Sequence, residues 1–415
     1  MYSANTKNEH RSLYLVFLAW IVYTTAYLGK VNYSANITQI VDFYNVTKAE
    51  AGLVPTFFFF TYGIGQFING FLCKRYNIKW MVFTSLALSG LINLTVALAT
   101  DFSLVKWLWM ANGFLLSVLW PTLIRLISET LPRRHLGKSS VIMGTTVASG
   151  TLIIYALSSV YAAFGNFKLA FYTAAVAAIV VSVIWLLAYN RVVSISKKDK
   201  DESACSTAHE KQTDNGASRH SVISIICVLC FCAIGVNLLK DGVVTWVPSI
   251  LKEEGSLPDS LSILLTLFLP IISIPGNVVA LKVHKKIPNY IAHYLVMFIA
   301  IAVIIGITIV ILPYKIIWAM LACLVIVKLL SGSMNNLITS IFPMFMRDKV
   351  DSGKVAGILN GFCYLGSTLS SYGLGAIADS FGWGAVFWCL MGVCILMAFV
   401  CLLHIILSSI HKQKI

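Results

Sequence analysis

The chain has 415 residues, 58% of them hydrophobic and only 12% charged, with a formal net charge of +14. So few charges cannot cover that much apolar surface in a water-soluble fold, and a mean hydropathy of +0.83 points to a polytopic α-helical membrane protein. The basic balance then reads as a topology signal, with no nucleic-acid partner.

A polar tail, residues 1–12, opens the chain. It is not followed by a short apolar core with a cleavage site, so the first segment reads as an uncleaved anchor. Six apolar segments follow near 13–40, 50–72, 80–99, 103–130, 139–163 and 169–190. The first carries Lys30 among Tyr23, Tyr27, Asn32 and Tyr33. An ammonium well inside a bilayer costs at least about 2.5 kcal/mol unless it meets water, protein or a ligand. Lys30 is therefore a candidate site residue; the blander reading is a side chain that snorkels to the interface. The fourth segment carries Trp120, Pro121, Arg125 and Glu129. An i,i+4 pair such as Arg125–Glu129 partly neutralises itself, which gives it a gating or structural role as readily as a ligand contact.

A polar stretch from Arg191 to His220 forms a cytoplasmic linker. Six further apolar segments fall near 221–250, 260–281, 289–311, 316–345, 354–378 and 383–408, and a tail closes the chain at 409–415. The seventh holds Lys240, Asp241 and Trp246. Neighbours on a helix point about 100° apart, so Asp241 need not neutralise Lys240. It is free to pair with another cation, to bind a proton in a transport cycle, or to serve as a structural partner. Lys328 in the tenth segment, with Asn335 and Asn336 beyond it, either lines the same cavity or snorkels. Tyr23, Tyr27, Tyr62, Trp246 and Tyr364 are candidate cavity walls that would donate O–H or N–H groups, with core packing as the alternative. Gly63, Gly65, Gly361 and Gly366 are expected to let helices approach closely. The ten cysteines are scattered and many lie in apolar runs, so they read as small core residues rather than disulfides or a metal site.

Positive charge tests this map. With the N-terminus inside, twenty-two Lys and Arg fall in the tails, linker and inner loops. Five lie in outer loops: Lys48, Lys106, Lys168, Lys252 and Lys315. Lys30, Arg125, Lys240 and Lys328 remain within the membrane. That bias places both termini in the cytoplasm. The halves also read as repeats. AYLGKVNY around Lys30 is matched by VNLLKDGV around Lys240, and GFLCKRYNIKW by ALKVHKKIPNY, at nearly equal offsets. The expected fold is an all-α membrane protein of 12 transmembrane helices in two six-helix bundles, 13–190 and 221–408, with a substrate site near the midplane. A monomer is the default for this architecture.

Two or more lysines in one cavity call for an anion, and a compact ammonium suits phosphate or carboxylate. No GxxxxGKS or GxxxxGKT loop is present and no nucleophile–base pair stands out. Transport would be secondary, without enzymatic chemistry, cofactor or metal.

Three stretches, TYGIGQFINGFLCKR, WVPSILKE and GFCYLGSTLSSYGLGAIADSFGWGAVFW, resemble the organophosphate:phosphate antiporters of the major facilitator superfamily. These include the glycerol-3-phosphate and hexose-6-phosphate transporters. The likeness runs from about Tyr14 to Leu403, sparing the linker. It implies that Lys30 and Lys240 stand where the family uses two arginines to hold a phosphoryl group. Tyr23, Tyr27, Tyr62, Trp246 and Tyr364 then match family cavity aromatics. The departures are chemical. Two lysines lose bidentate capture, Thr146 replaces a histidine, Gln66 a lysine, Pro270 an acidic residue and Asn237 a tyrosine. Lys328 and Asp241 are additions, and Gly70, Lys74 and Arg75 stand in a loop where the family has GxxxDRxGRR.

The resemblance implies a secondary transporter of a small organic anion in the cytoplasmic membrane, with a phosphorylated metabolite exchanged for phosphate as the leading reading. The alternatives are a proton-coupled carboxylate or sugar-acid symporter with Asp241 or Glu129 titrating, a transporter-like membrane sensor, and a lipid flippase.

Overall fold

A computed structural model describes residues 2–72, 75–131, 133–203, 219–272, 275, 282–283, 286–342 and 352–413. Among them, ten helices are long and apolar enough to cross a membrane, against the twelve spans expected; one of the ten, Gly357–Ser409, joins the last two segments, and Asp259–Ile272 is a shorter apolar helix in the eighth. In chain order the described helices begin with α1 (Tyr2–Ala35), α2 (Ile37–Tyr44), α3 (Lys48–Leu72), α4 (Ile78–Leu98) and α5 (Phe102–Ser117). They continue with α6 (Leu119–Thr130), α7 (Arg133–Gly144), α8 (Thr146–Ala163), α9 (Lys168–Ser203), α10 (Arg219–Glu253) and α11 (Asp259–Thr266). The last are α12 (Tyr290–Ile311), α13 (Ile317–Asn336) and α14 (Ser352–Gln413).

The bounds differ from the hydropathy segments in physically simple ways. Helix α1 starts inside the polar tail, and α9 runs past position 190 into the stretch expected as linker. Polar, charged residues there favour helix as well as solvent, and hydropathy reports only the apolar part. The first segment breaks at Asn36, and the fourth breaks at Val118. Pro121 has no N–H to give the preceding turn, which accounts for the second break. The two final segments are joined in α14, with Gly382 at φ 76° marking the kink between them. Only glycine takes that left-handed φ without penalty. The end of the eighth segment, 260–281, and the middle of the linker lie outside the described residues.

Asparagine caps mark the internal repeat. The Asn77 side chain accepts from the backbone N–H of Lys79 at the start of α4. Asn289 does the same for Ile291 and Ala292 at the start of α12. Each cap satisfies orphan donors of a helix that opens the third span of its half.

Side-chain packing closes each half and joins them. Trp109 sits in the first, with its ring centroid 5.7 Å from Tyr33 and 5.8 Å from Phe171. Between halves, α3 packs along α14 and α8 against α11. Gly366 lets α14 approach the Ile234 backbone, and Gly63 lets α3 approach Tyr364. Gly65 fits against Ser117, whereas Gly361, expected at a close approach, faces open space.

A buried amide network holds α1 behind Lys30. The Asn32 Nδ2 donates to Asn93 Oδ1 at 2.8 Å, and Asn112 Nδ2 donates to the Gly29 carbonyl at 2.9 Å. Ser89 Oγ donates to Asn112 Oδ1 at 2.6 Å, and Asn36 Nδ2 to Ser158 Oγ at 2.9 Å. The four amides are fully buried, so each lost partner leaves an unsatisfied group costing about 1–3 kcal/mol. Asn93→Ala is expected to lower the unfolding temperature of the purified protein in detergent. An unchanged melt would show that α1 does not depend on this network.

Candidate functional site

Lys30 projects from α1 into a box of aromatic rings. Its Nζ lies 4.2 Å from the Tyr62 centroid, 4.9 Å from Tyr27, 5.6 Å from Phe58, 5.7 Å from Tyr364 and 5.8 Å from Phe59. Three elements supply these rings: α1, α3 and α14. Cation–π attraction contributes about 0.5–2 kcal/mol per favourable desolvated contact. No described residue gives Lys30 a carboxylate within ion-pair distance.

The phenol groups of the box touch one another. Tyr23 Oη lies 3.4 Å from Tyr62 Oη, and the Tyr23 and Tyr27 rings meet edge-on at 5.3 Å. Tyr62 also lies within hydrogen-bonding reach of Gln66 and Tyr364. Asn360 Nδ2 donates to Gln66 Oε1 at 2.9 Å, joining α14 to α3 one turn further along.

Lys240 sits on α10, in the other half. Its Nζ is 3.4 Å from Asp241 Oδ1, so the two neighbours do pair. The 100° between adjacent helical side chains left this open, and the long lysine stem closes the angle. Ser367 Oγ on α14 donates to Asp241 Oδ2 at 2.5 Å. Asp241 interacts electrostatically with Lys240, Lys328 and Lys30, in falling order. Among the described residues only Lys240 lies within ion-pair distance of Asp241; Lys328 on α13 and Lys30 on α1 act on it from further away.

Two expected site groups lie elsewhere. Trp246 is a correction. Its ring is fully buried, and its Nε1 donates to the Ser371 carbonyl at 3.1 Å. It wedges between α3, α10 and α14, and offers its N–H to backbone rather than to a ligand. Arg125 Nε bonds Glu129 Oε1 at 2.7 Å as the i,i+4 spacing required. That pair acts on Tyr189 of α9.

The sequence reading missed Phe58, Phe59, Gln66 as a contact, Asn360 and Ser367. Phe57 to Phe60 form a run of four phenylalanines that hydropathy assigns to lipid; only helix phase shows which of them turn inward. Asn360 and Ser367 sit on a helix whose polar stripe, Ser367, Ser370 and Ser371, is a signal of burial against another helix.

The face opposite the chain ends is sealed by charges. Lys48 Nζ lies 3.2 Å from Glu253 and 3.7 Å from Asp379. Asp379 also accepts from the Lys48 and Ala49 N–H groups at 3.1 and 2.6 Å, capping α3 from α14. Lys252 meets Asp42 at 2.6 Å and Asp259 at 3.1 Å, and Trp383 Nε1 donates to Glu253 at 2.9 Å. Two of the lysines counted in outer loops are thus committed to carboxylates across the halves.

A family model described as Major Facilitator Superfamily matches residues 19–350. The glycerol-3-phosphate transporter of Bacillus subtilis is 23% identical over 404 residues, covering 91% of this chain and 88% of that protein. The membrane sensor protein UhpC of Escherichia coli is 23% identical over 136 residues, covering 33% of this chain and 31% of the sensor. The match therefore spans about a third of the sensor's length. Among solved structures, a bacterial homolog of the human lysosomal transporter Spinster, inward-facing and occupied, superposes with a TM-score of 0.73 at 13% identity, covering 94% of this chain and 96% of that one.

Proposed function

This chain belongs to the major facilitator superfamily and is a multi-pass membrane transporter, not an enzyme; on that premise we propose that it exchanges a phosphorylated metabolite for phosphate across the cytoplasmic membrane. The observation that carries this reading is a lysine offered from each half, Lys30 in its box of aromatic rings and Lys240 loosely paired with Asp241 at 3.4 Å. Among the described residues Lys30 has no carboxylate within ion-pair distance, and a buried charge without a partner is expensive. An anion that enters relieves that cost, and the phenol hydroxyls beside Lys30 donate to its oxygens. Likeness to a glycerol-3-phosphate transporter over most of both chains supports a phosphorylated substrate.

Alternation follows from the same balance. The sealed face corresponds to the outside if the positive-inside bias sets the orientation, so the ion pairs of Lys48 and Lys252 are the outer gate. The halves rock about the bound anion to expose it to the other side. Occupancy lowers the cost of the closed intermediate, which favours exchange over return of an empty carrier. The protein works as a monomer in this scheme.

The test is uptake of radiolabelled phosphate into proteoliposomes preloaded with unlabelled phosphate. We expect saturable uptake that glycerol 3-phosphate or a hexose phosphate inhibits, and none into unloaded vesicles. Uptake driven instead by an imposed proton gradient, with no need for internal anion, would overturn exchange in favour of symport. The match to a membrane sensor favours one second reading, a receptor that binds the anion without carrying it. Ligand-induced thermal stabilisation with no flux would mark that outcome.

A further inference from the structure

We infer, on the transporter reading above, that Gln66 on α3 and Asn360 on α14 are the inner latch of the carrier, closing the side of the Lys30 box that the ion pairs leave open. Three observations carry this. First, α3 and α14 come from different halves and meet along their length. At one end Asp379 caps α3 at Lys48 and Ala49. Further in, Thr56 Oγ1 donates to the Thr368 carbonyl at 3.1 Å and accepts from the Tyr372 N–H at 3.0 Å. At the other end Asn360 Nδ2 donates to Gln66 Oε1 at 2.9 Å. Lys48 and Gln66 are roughly 27 Å apart along α3 at helical rise, so the amide pair and the ion pairs close opposite ends of one seam. Second, the Lys30 box lies between those ends. The Tyr62 and Tyr364 rings are 4.8 Å apart and flank the Lys30 Nζ at 4.2 and 5.7 Å. Gln66 stands one turn after Tyr62, and Asn360 one turn before Tyr364. Third, the latch bond is neutral and only partly buried. A hydrogen bond of that kind shifts a two-state equilibrium by roughly 2- to 12-fold. That biases the inner side toward closure and still lets it open in every cycle.

The position of the latch ties it to occupancy. Tyr62 is within hydrogen-bonding reach of Gln66, and its ring faces Lys30. An anion that accepts from the Tyr62 and Tyr364 hydroxyls joins α3 to α14 at the level of the box, and one turn further on the two amides are then held in register. A ligand shifts a conformational equilibrium only by binding one state better, and this bridge exists only when α3 and α14 are together. The two closures also differ in kind. Salt screens the exposed ion pairs of the outer seal, whereas an amide pair carries no charge to screen.

The experiment is disulfide trapping in full-length protein in proteoliposomes, with Gln66→Cys and Asn360→Cys combined and diamide as the oxidant. Diamide takes two electrons and two protons from the thiol pair and becomes its hydrazine; mass spectrometry of peptides verifies the bond. We expect phosphate exchange to slow at least about tenfold on oxidation and to recover with dithiothreitol, while wild type treated alike keeps its rate. The native pair Cys232 and Cys401, with sulfurs 3.5 Å apart, belongs to one half, so a disulfide there leaves the halves free to rock. Phosphate should also speed formation of the cross-link several-fold. Gln66→Glu with Asn360→Lys, which holds the same contact by an ion pair, should slow exchange several-fold without oxidant, and serves if the cysteine pair does not fold. Full exchange with the disulfide verified, or a cross-link that never forms, overturns the latch and leaves exchange standing. Cross-linking at a rate indifferent to phosphate overturns its tie to occupancy. If wild type itself exchanges no phosphate, the transporter reading falls, and the latch with it.

Discussion

Lys30→Ala is expected to reduce phosphate exchange in proteoliposomes by roughly 10- to 150-fold, while the protein folds as before. The factor follows from one charged hydrogen bond to a ligand, about 1.5–3 kcal/mol, at 1.4 kcal/mol per decade. Stability should survive because Lys30 has ring faces rather than a carboxylate around it, so its removal strands no opposite charge. Lys240→Ala should behave differently. It leaves Asp241, fixed by Ser367, without its nearest cation. Breaking a fully buried pair costs about 3–5 kcal/mol; this one is partly exposed, so the cost is smaller, and the variant should lose exchange and also unfold at a somewhat lower temperature. Exchange kinetics and melting temperature together separate the two lysines. Wild-type exchange in both variants would sink the anion clamp.

That asymmetry was only half visible in the residues. Lys30 and Lys240 stand out because charge in an apolar run is costly wherever it faces lipid. The repeat then pairs them, since equivalent positions of two halves meet at the axis between them. The membrane-crossing helices rest on hydropathy, which acts over the length of a helix and survives errors of a few residues. Contacts between distant helices have no such averaging. Nothing local to Phe58 or Phe59 shows that they face a lysine 28 or 29 positions earlier in the chain. The Lys240–Asp241 pair turns on one lysine rotamer, and Trp246 was misread because an aromatic beside a site residue is as readily wedged between helices as turned toward a ligand. The ion pairs between the halves were hidden for a related reason. Lys48 and Lys252 were counted as outer-loop charges, and a count does not register that Glu253, Asp379 and Asp42 neutralise them.

Gly52→Val is expected to slow exchange by roughly 5- to 150-fold without unfolding the protein. A Cβ on Gly52 would meet the Ser371 carbonyl of the other half and come within 3.1 Å of Trp246 Cζ2. A backbone carbonyl held in a helix cannot swing aside as a flexible side chain can. Gly375 is confined in the same way, its Cβ position lying 2.7 Å from the Lys48 carbonyl and from Trp246. Here the misread Trp246 finds its role, as the plate against which α3 and α14 close. Overpacking of this kind costs about 1–3 kcal/mol, and it is paid only when the two halves meet at this face. The closed state would fall in population by roughly 5- to 150-fold at 1.4 kcal/mol per decade, whereas the contacts inside each half are untouched. The ion pairs of Lys48 and Lys252 cannot offset this, since exposed pairs contribute about 0–1 kcal/mol each. The carrier would then rest mostly with the sealed face open, able to bind phosphate but slow to complete a cycle. Thermal shift with phosphate should persist while radiolabelled exchange falls by about that factor. A Gly52→Val protein that exchanges at the wild-type rate would show that the close approach of α3 to α14 is not the gate.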